Sequence, residues 1–267
     1  MRLLVVGAGA MGRWFARTVD ADVAFADVDP GAAEDAAAAL DGRAVPTDTD
    51  ETFDAVCLAV PMSVVEAAIA DHAPRADAAL LDLSGVMRGP VAAMRERAPD
   101  RERASLHPLF APENAPGNLP VVVDERGPTV DALLADLADA GNDVFETTAA
   151  EHDEAMETVQ ARAHTAVLAY ALAAEDVREE FHTPISGELQ GLVETVTDGT
   201  PQVYREIQET FEGADDVAAA ARRLANAEGE GFDELYRRAG DAGSRPGDGG
   251  SESGDGGSES DDGGAPE

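Results

Sequence analysis

The sequence predicts an α/β protein, a doubly wound parallel sheet followed by an all-α second domain and a disordered acidic tail. Three observations predict it. Short apolar β-rich runs alternate with Ala-rich helical stretches from Met1 to about Glu146, the β signal stops beyond about Ala149, and the last stretch is nearly all Gly, Ser, Asp, Glu and Pro.

The apolar runs are Leu3 to Val6, Asp22 to Ala26, Asp54 to Val60, Ala79 to Leu83, Ala104 to Leu106, Pro120 to Val123 and Asp143 to Phe145. Each is continuous rather than polar-alternating, as expected of strands covered on both faces by helices. Between them, segments such as Pro30 to Leu40 and Thr129 to Ala140 hold good helix formers. Further on, Glu151 to Arg178, Pro184 to Thr197, Pro201 to Phe211 and Ala214 to Ala227 read as helices. Thr183-Pro184 and Thr200-Pro201 place proline at helix starts, where its missing N–H does no harm. The expected boundaries are 1–148 for the α/β domain, 149–240 for the helical domain and 241–267 for the tail.

A chain of 267 residues that is 44% hydrophobic can bury a sizeable core, which excludes a wholly disordered protein. Its 54 acidic and 19 basic residues give a net charge of -35, and every basic residue is Arg. The acidity runs along the whole length and persists when the tail is set aside. Such a surface repels DNA and anionic membranes, so neither is an expected partner. It suits concentrated salt, where a Debye length of about 3 Å at 1 M screens self-repulsion. The composition therefore points to a halophile's cytoplasmic protein. Cys57 stands alone in an apolar run, so no intrachain disulfide can form and a buried, inert thiol is expected. No window approaches the roughly 18 apolar residues of a membrane span. Leu3 to Val6 is interrupted by Gly7, Gly9, Gly12 and Arg13, and reads as a first strand rather than a signal peptide.

Gly7-Ala8-Gly9-Ala10-Met11-Gly12 follows that strand and opens a helix. The first glycine permits a tight turn, the second lets backbone amides approach a pyrophosphate, and the third lets helix and strand pack closely. Asp27 ends the second strand, twenty positions after Gly7, where a carboxylate accepts hydrogen bonds from a ribose. With Asp29 close behind and no arginine nearby, a 2′-phosphate is expected to be repelled, so NAD is favoured over NADP. The α/β domain is thus a Rossmann-type dinucleotide-binding domain. Val60 and Pro61 end a strand at the carboxyl edge of the sheet, where a nicotinamide ribose would pass.

His107-Pro108 follows the run ending at Leu106, which puts an imidazole at the mouth where open α/β sheets bind ligands. A neutral imidazole there suits a general base that takes a proton from an alcohol as hydride leaves. In the segment Glu151 to His164, Gln160 and His164 are four apart and share a face with Glu157. Met156, Val159, Ala163 and Val167 form a separate apolar stripe. His152 and His164 lie on different faces with no cysteine cluster, so no metal site is expected. His72 is placed on a surface helix and His182 in a loop, neither with a function.

Taken in order, these features resemble the prephenate dehydrogenase family, which includes arogenate-specific members. The matching residues are Gly7 to Gly12, Leu58-Ala59-Val60-Pro61, Asp82-Leu83-Ser84-Gly85-Val86 leading to Gly89-Pro90, His107-Pro108, Glu151 to His164, and Thr183-Pro184-Ile185. The resemblance implies oxidative decarboxylation of prephenate to 4-hydroxyphenylpyruvate, or of arogenate to tyrosine. In it His107 takes the ring hydroxyl proton while hydride passes to NAD. It also implies that Ser84, Glu113, His152 and His164 border the substrate, and that the helical domain forms a homodimer. Two departures stand out. Gly85-Val86-Met87 replaces the family's Ser-Val-Lys, with Ser84 one position earlier as a possible replacement hydroxyl. Thr195 falls where the family has an arginine for a substrate carboxylate, which leaves Arg162, Arg178 or Arg205 to supply the charge.

Two other functions fit part of the pattern. Another dehydrogenase with a helical second domain, of the β-hydroxy acid or pyrroline carboxylate type, accounts for Gly7 to Val60 but not for His107-Pro108 with Gln160 and His164. A non-catalytic NAD-binding regulator accounts for Gly85, Met87 and Thr195.

Overall fold

The computed structural model describes residues 1–243, so from residue 244 the expected tail lies outside the described residues. Its strands are β1 Arg2–Val6, β2 Asp22–Ala26, β3 Arg43–Ala44, β4 Phe53–Leu58, β5 Ala76–Asp82, β6 Glu102–Leu106, β7 Asn118–Glu125 and β8 Asp143–Glu146. They form an eight-stranded sheet in the order β3-β2-β1-β4-β5-β6-β7-β8. Every predicted run is a strand. The addition, β3, pairs only Arg43 and Ala44 with Ala24 and Phe25 at the sheet edge, and is too short to show a pattern.

The pairing departs from expectation once. All neighbours run parallel except β6 and β7, which are antiparallel. The physical reason is the link over 107–117, which holds only the short 3-10 turn Pro112–Asn114. A parallel neighbour needs a crossover of about a dozen residues or more, usually through a helix.

Period-two alternation divides the apolar strand residues between the two faces. Leu3 and Val5 pack with Trp14, Phe15, Ala33 and Leu133, from helices α1 Ala10–Thr18, α2 Pro30–Ala39 and, beyond the two that follow, α5 Pro128–Asp139. Leu4 and Val6 pack with Val65, Ile69, Val91 and Met94, from α3 Val65–His72 and α4 Arg88–Arg97. Cys57 is fully buried, as expected of an inert thiol. His72 is a correction. It is only 6% exposed, because it follows Ile69 on the inward face of α3 instead of lying on the surface.

After the sheet come α6 Ala149–Met156, a π-helical segment Glu157–Arg162, α7 Ala163–Ala173, α8 Pro184–Thr197, α9 Pro201–Thr210, α10 Gly213–Asn226 and α11 Glu230–Gly243. Thr148 starts α6 by accepting the Glu151 amide at 3.1 Å. Thr183 and Ser186 cap α8 reciprocally. The single helix expected from Glu151 to Arg178 is interrupted by the wider π-helical turn and ends at Ala173. By contacts the chain forms two compact units, Met1–Ala218 and one that begins at Ala219, so α6 to α9 belong with the sheet. Met156, Ala161, Ile207 and Phe211 join that helical layer to Met62, Val86 and Leu109 of the sheet-edge loops.

Candidate active site

The glycine loop lies between β1 and α1. Gly7 has φ +100°, and a Cβ there would meet the Ala59 carbonyl oxygen at 2.2 Å, so no other residue fits. A Cβ on Gly12 would lie 2.0 Å from the Gly7 oxygen, which is the helix–strand approach the motif requires. Beside Gly9 the space is open, with nothing within 4 Å of a Cβ. Gly9 caps α1 without a side-chain hydrogen bond, so the first-turn amides, with exposed Ala10 and half-buried Met11, face outward. These residues fit a dinucleotide pyrophosphate.

Asp27 is half-buried at the end of β2, and both its oxygens are oriented by backbone. One accepts the Ala8 amide at 2.7 Å and the other the Asp29 amide at 2.9 Å. Asp29 in turn caps α2 through the Gly31 amide. One arginine does reach this region. Arg13 donates to the Ala8 and Ala32 carbonyls, at 2.7 and 3.2 Å, and so ties the loop to α2. Val60 is half-buried and Pro61 exposed in the loop after β4, whose Ala59 amide donates to Val6.

His107 lies just past β6 at the carboxyl edge of the sheet, 8% exposed. Its Nδ1 is 2.9 Å from His152 Nε2, and His152 Nδ1 is 2.8 Å from Asp153 Oδ1. The two rings meet edge to face. Asp153 also accepts the Met87 amide at 2.9 Å and the Arg88 amide at 3.1 Å, at the start of α4. Burial works against its charge, but the His152 ring and these amides outweigh it and hold the carboxyl below its ordinary range. An ionised Asp153 accepts, so His152 Nδ1 carries its proton and His152 Nε2 accepts from His107 Nδ1–H. His107 Nε2 is then a bare lone pair, and the Gln160 Nε2 amide, 3.3 Å away, donates to it. Burial, reinforced by His152, pushes His107 down to about 3, so its imidazole is neutral across the physiological range.

The remaining predicted residues separate. Ser84 is buried, and its hydroxyl is engaged within its own turn, donating to the Val86 carbonyl at 2.6 Å. That bond shapes the loop after β5. A Cβ on Gly85 would be 3.6 Å from His107 Nε2 but 2.8 Å from Met62 Sδ, so the methionine fills the space a larger residue would need. His152 lies between His107 and Asp153 and is 2% exposed. Glu113 is exposed on the turn Pro112–Asn114. His164 is half-buried, packed edge to face on Tyr204 with centroids 4.9 Å apart, and burial lowers its pKa.

Sequence reasoning passed over Asp153 and Glu206. Buried Glu206 accepts the Met62 amide at 2.9 Å and the Ser63 hydroxyl at 3.0 Å, fastening the loop after β4 to α9. Glu206 carries no sequence signal because its partners Met62 and Ser63 lie far away in the chain, and Asp153, though next to His152, draws its amide donors from distant Met87 and Arg88. Among the described residues no cluster suited to a metal ion is present.

No protein-family profile matches the chain. It is 33% identical over 234 residues to the curated 4-amino-4-deoxyprephenate dehydrogenase of Streptomyces pristinaespiralis, covering 79% of this chain and 78% of that one. Among solved structures it resembles prephenate dehydrogenase from A. aeolicus in complex with hydroxyphenyl propionate and NAD+, with a TM-score of 0.67, 17% identity, and coverage of 90% and 92% of the two chains. Synechocystis arogenate dehydrogenase gives a TM-score of 0.59 at 17% identity, covering 91% and 98%. These two likenesses establish the fold.

Proposed function

The chain belongs to the prephenate dehydrogenase family, and from that premise we propose that it performs the NAD-dependent oxidative decarboxylation of prephenate or arogenate in tyrosine biosynthesis. The observation that carries this reading is the bare Nε2 of a neutral, buried His107 at the carboxyl edge of the sheet. The ring hydroxyl displaces the Gln160 amide from His107 Nε2, which takes its proton as the C–H bond on the same carbon breaks. The dinucleotide, when bound, accepts the hydride. Loss of the ring carboxylate as carbon dioxide makes the ring aromatic, and His107 returns its proton to the phenolate oxygen. Overall the substrate loses hydride and carbon dioxide with no net release of a proton.

Gly7, Gly9, Ala10, Met11 and Gly12 hold the pyrophosphate, Asp27 the adenosine ribose, and Val60 with Pro61 flank the nicotinamide end. His164 and Glu113 border the substrate. Of the three arginines able to meet a substrate carboxylate, Arg162 pairs with Asp216 and Arg178 lies over the Phe181 ring, 4.9 Å from its centroid. Arg205 has no ion-pair partner among the described residues and adjoins Tyr204, which touches His164. We assign the role to it.

A second reading has its own observation. Gln160 Oε1 is buried without a partner while the same amide donates to His107 Nε2. That free acceptor suits a ring carbon bearing an amino group, the substrate class of the Streptomyces relative. NADH formation in multimolar salt, with prephenate, arogenate and 4-amino-4-deoxyprephenate offered separately, tests both readings. Turnover of none of them with NAD overturns both.

The physical setting in this reading is a cytoplasmic, salt-adapted homodimer, with residues 149–240 acting as the substrate and dimerisation region. Its support is the charge of -35 without lysine, and α7, whose eleven residues include no charged side chain and none that is buried. No described helix is long and apolar enough to cross a membrane.

A further inference from the structure

We propose that His152 and Asp153 are positioning residues that hold the substrate's proton charge one step behind His107. On accepting a proton at Nε2, His107 passes its Nδ1 proton to His152 Nε2, and the positive charge rests on His152 against the Asp153 carboxylate. When the ring becomes aromatic the two protons shift back, and His107 Nε2 protonates the phenolate. The chain of transfers starts and ends with the same protons, so atoms and charge balance without an outside acid. This inference rests on the reading of His107 as the base.

The geometry supplies each link. The two nitrogen–nitrogen and nitrogen–oxygen separations, 2.9 and 2.8 Å, are both within direct transfer distance. All three groups are buried, His107 at 8%, His152 at 2% and Asp153 at 5% exposure, so water does not compete for the protons. Asp153 is held at the start of α4 by the Met87 and Arg88 amides, where the helix dipole favours a negative charge. Its orientation therefore does not depend on the histidine it serves.

The arrangement resolves a difficulty in the mechanism. A buried imidazole whose own pKa is pushed down to about 3 is a poor resting place for a proton. Moving the charge to the ring that touches a carboxylate removes the penalty while leaving the bare Nε2 at the substrate. The principle is the same as in the Ser-His-Asp triad, where a carboxylate sets the tautomer and stabilises the imidazolium. Here a second imidazole stands between them.

Nitrogen-15 NMR of the whole chain in multimolar salt near neutral pH reads the tautomers without any turnover. The expected result is a protonated Nδ1 and bare Nε2 on both His107 and His152. A bare Nδ1 on His107 overturns the proposal, whatever substrate the enzyme takes. The second measurement is His152→Gln, whose side-chain oxygen can still accept the His107 Nδ1–H but cannot take up the proton. Its kcat is expected to fall about 10²-fold or more, with KM and NAD affinity within about threefold of the parent. A kcat near the parent value overturns the charge-holding role. Absence of turnover by the parent itself is a failure of the proposed reaction, and the NMR result still decides the hydrogen-bonded chain.

Discussion

At the scale of single residues, the decisive property is which atoms are left with a lone pair. His107 offers Nε2 because Asp153 orders the tautomers behind it. His107→Ala is expected to lower kcat about 10²- to 10⁴-fold, the range of general acid–base catalysis, with NAD affinity little changed by titration calorimetry. Near-normal turnover removes His107 from the mechanism. Asp27→Ala takes away both the ribose acceptor and the repulsion of a 2′-phosphate, so NAD binding weakens and the preference over NADP shrinks. An unchanged preference in coenzyme kinetics places the discrimination elsewhere. Asp82 makes a prediction about pH. Burial pushes this carboxyl up to about 7, against the Ser84 amide that donates to it. Between about pH 4 and pH 7 the native protein therefore keeps a proton the unfolded chain has released, and stability falls as pH rises through that window. Asp82→Asn keeps the amide's acceptor and removes the titration. The difference between its urea midpoints at about pH 5 and about pH 7.5 is expected to be smaller than in the parent, and an equal difference counts against a raised Asp82.

At the scale of elements, the legible parts are those set by local pattern. Every strand long enough to show a continuous apolar run was readable, and Gly7 and Gly12 announced their turn because only glycine satisfies it. Three features were not readable. The antiparallel β7 follows from a connection too short for a crossover, which matters only once β6 and β7 are known to be neighbours. The π-helical turn Glu157–Arg162 interrupts a segment whose composition suits a regular helix, and it carries the Gln160 amide to His107. His72 looked exposed until α3 was seen to turn it inward. Helix α7 supports a prediction of its own. Leu172 is 89% exposed on an element without charge, which is the character of a seam between copies. If the proposed homodimer forms through α7, the parent sediments as a dimer and Leu172→Glu as a monomer in analytical ultracentrifugation; a monomeric parent overturns the dimer, and an unaltered dimer moves the seam off α7.

At the scale of the whole molecule, the proposed salt adaptation turns on charge. In the proposed salt-adapted setting, concentrated ions screen the self-repulsion of a chain with net charge -35. Circular dichroism during dialysis from multimolar to about 0.1 M salt is expected to show loss of helical and strand signal, with activity lost in parallel. Full structure in dilute buffer means the acidity serves something other than salt. The sequence by itself determined the strand and helix alternation, the glycine loop with its acidic partner, and the histidine at a strand end. Each of these depends on residues close in the chain, whose spacing is dictated by backbone geometry. Only the tertiary structure decided that His152 stands behind His107 and that Asp153 caps α4. It also showed that Ser84 turns into its own loop, and that Glu206 fastens the Met62 loop. The roles of His152, Asp153 and Glu206 arise between segments 45, 66 and 144 residues apart. No periodicity encodes which side chains of separate elements will meet, because that is set by how the packed layers bring their ends together.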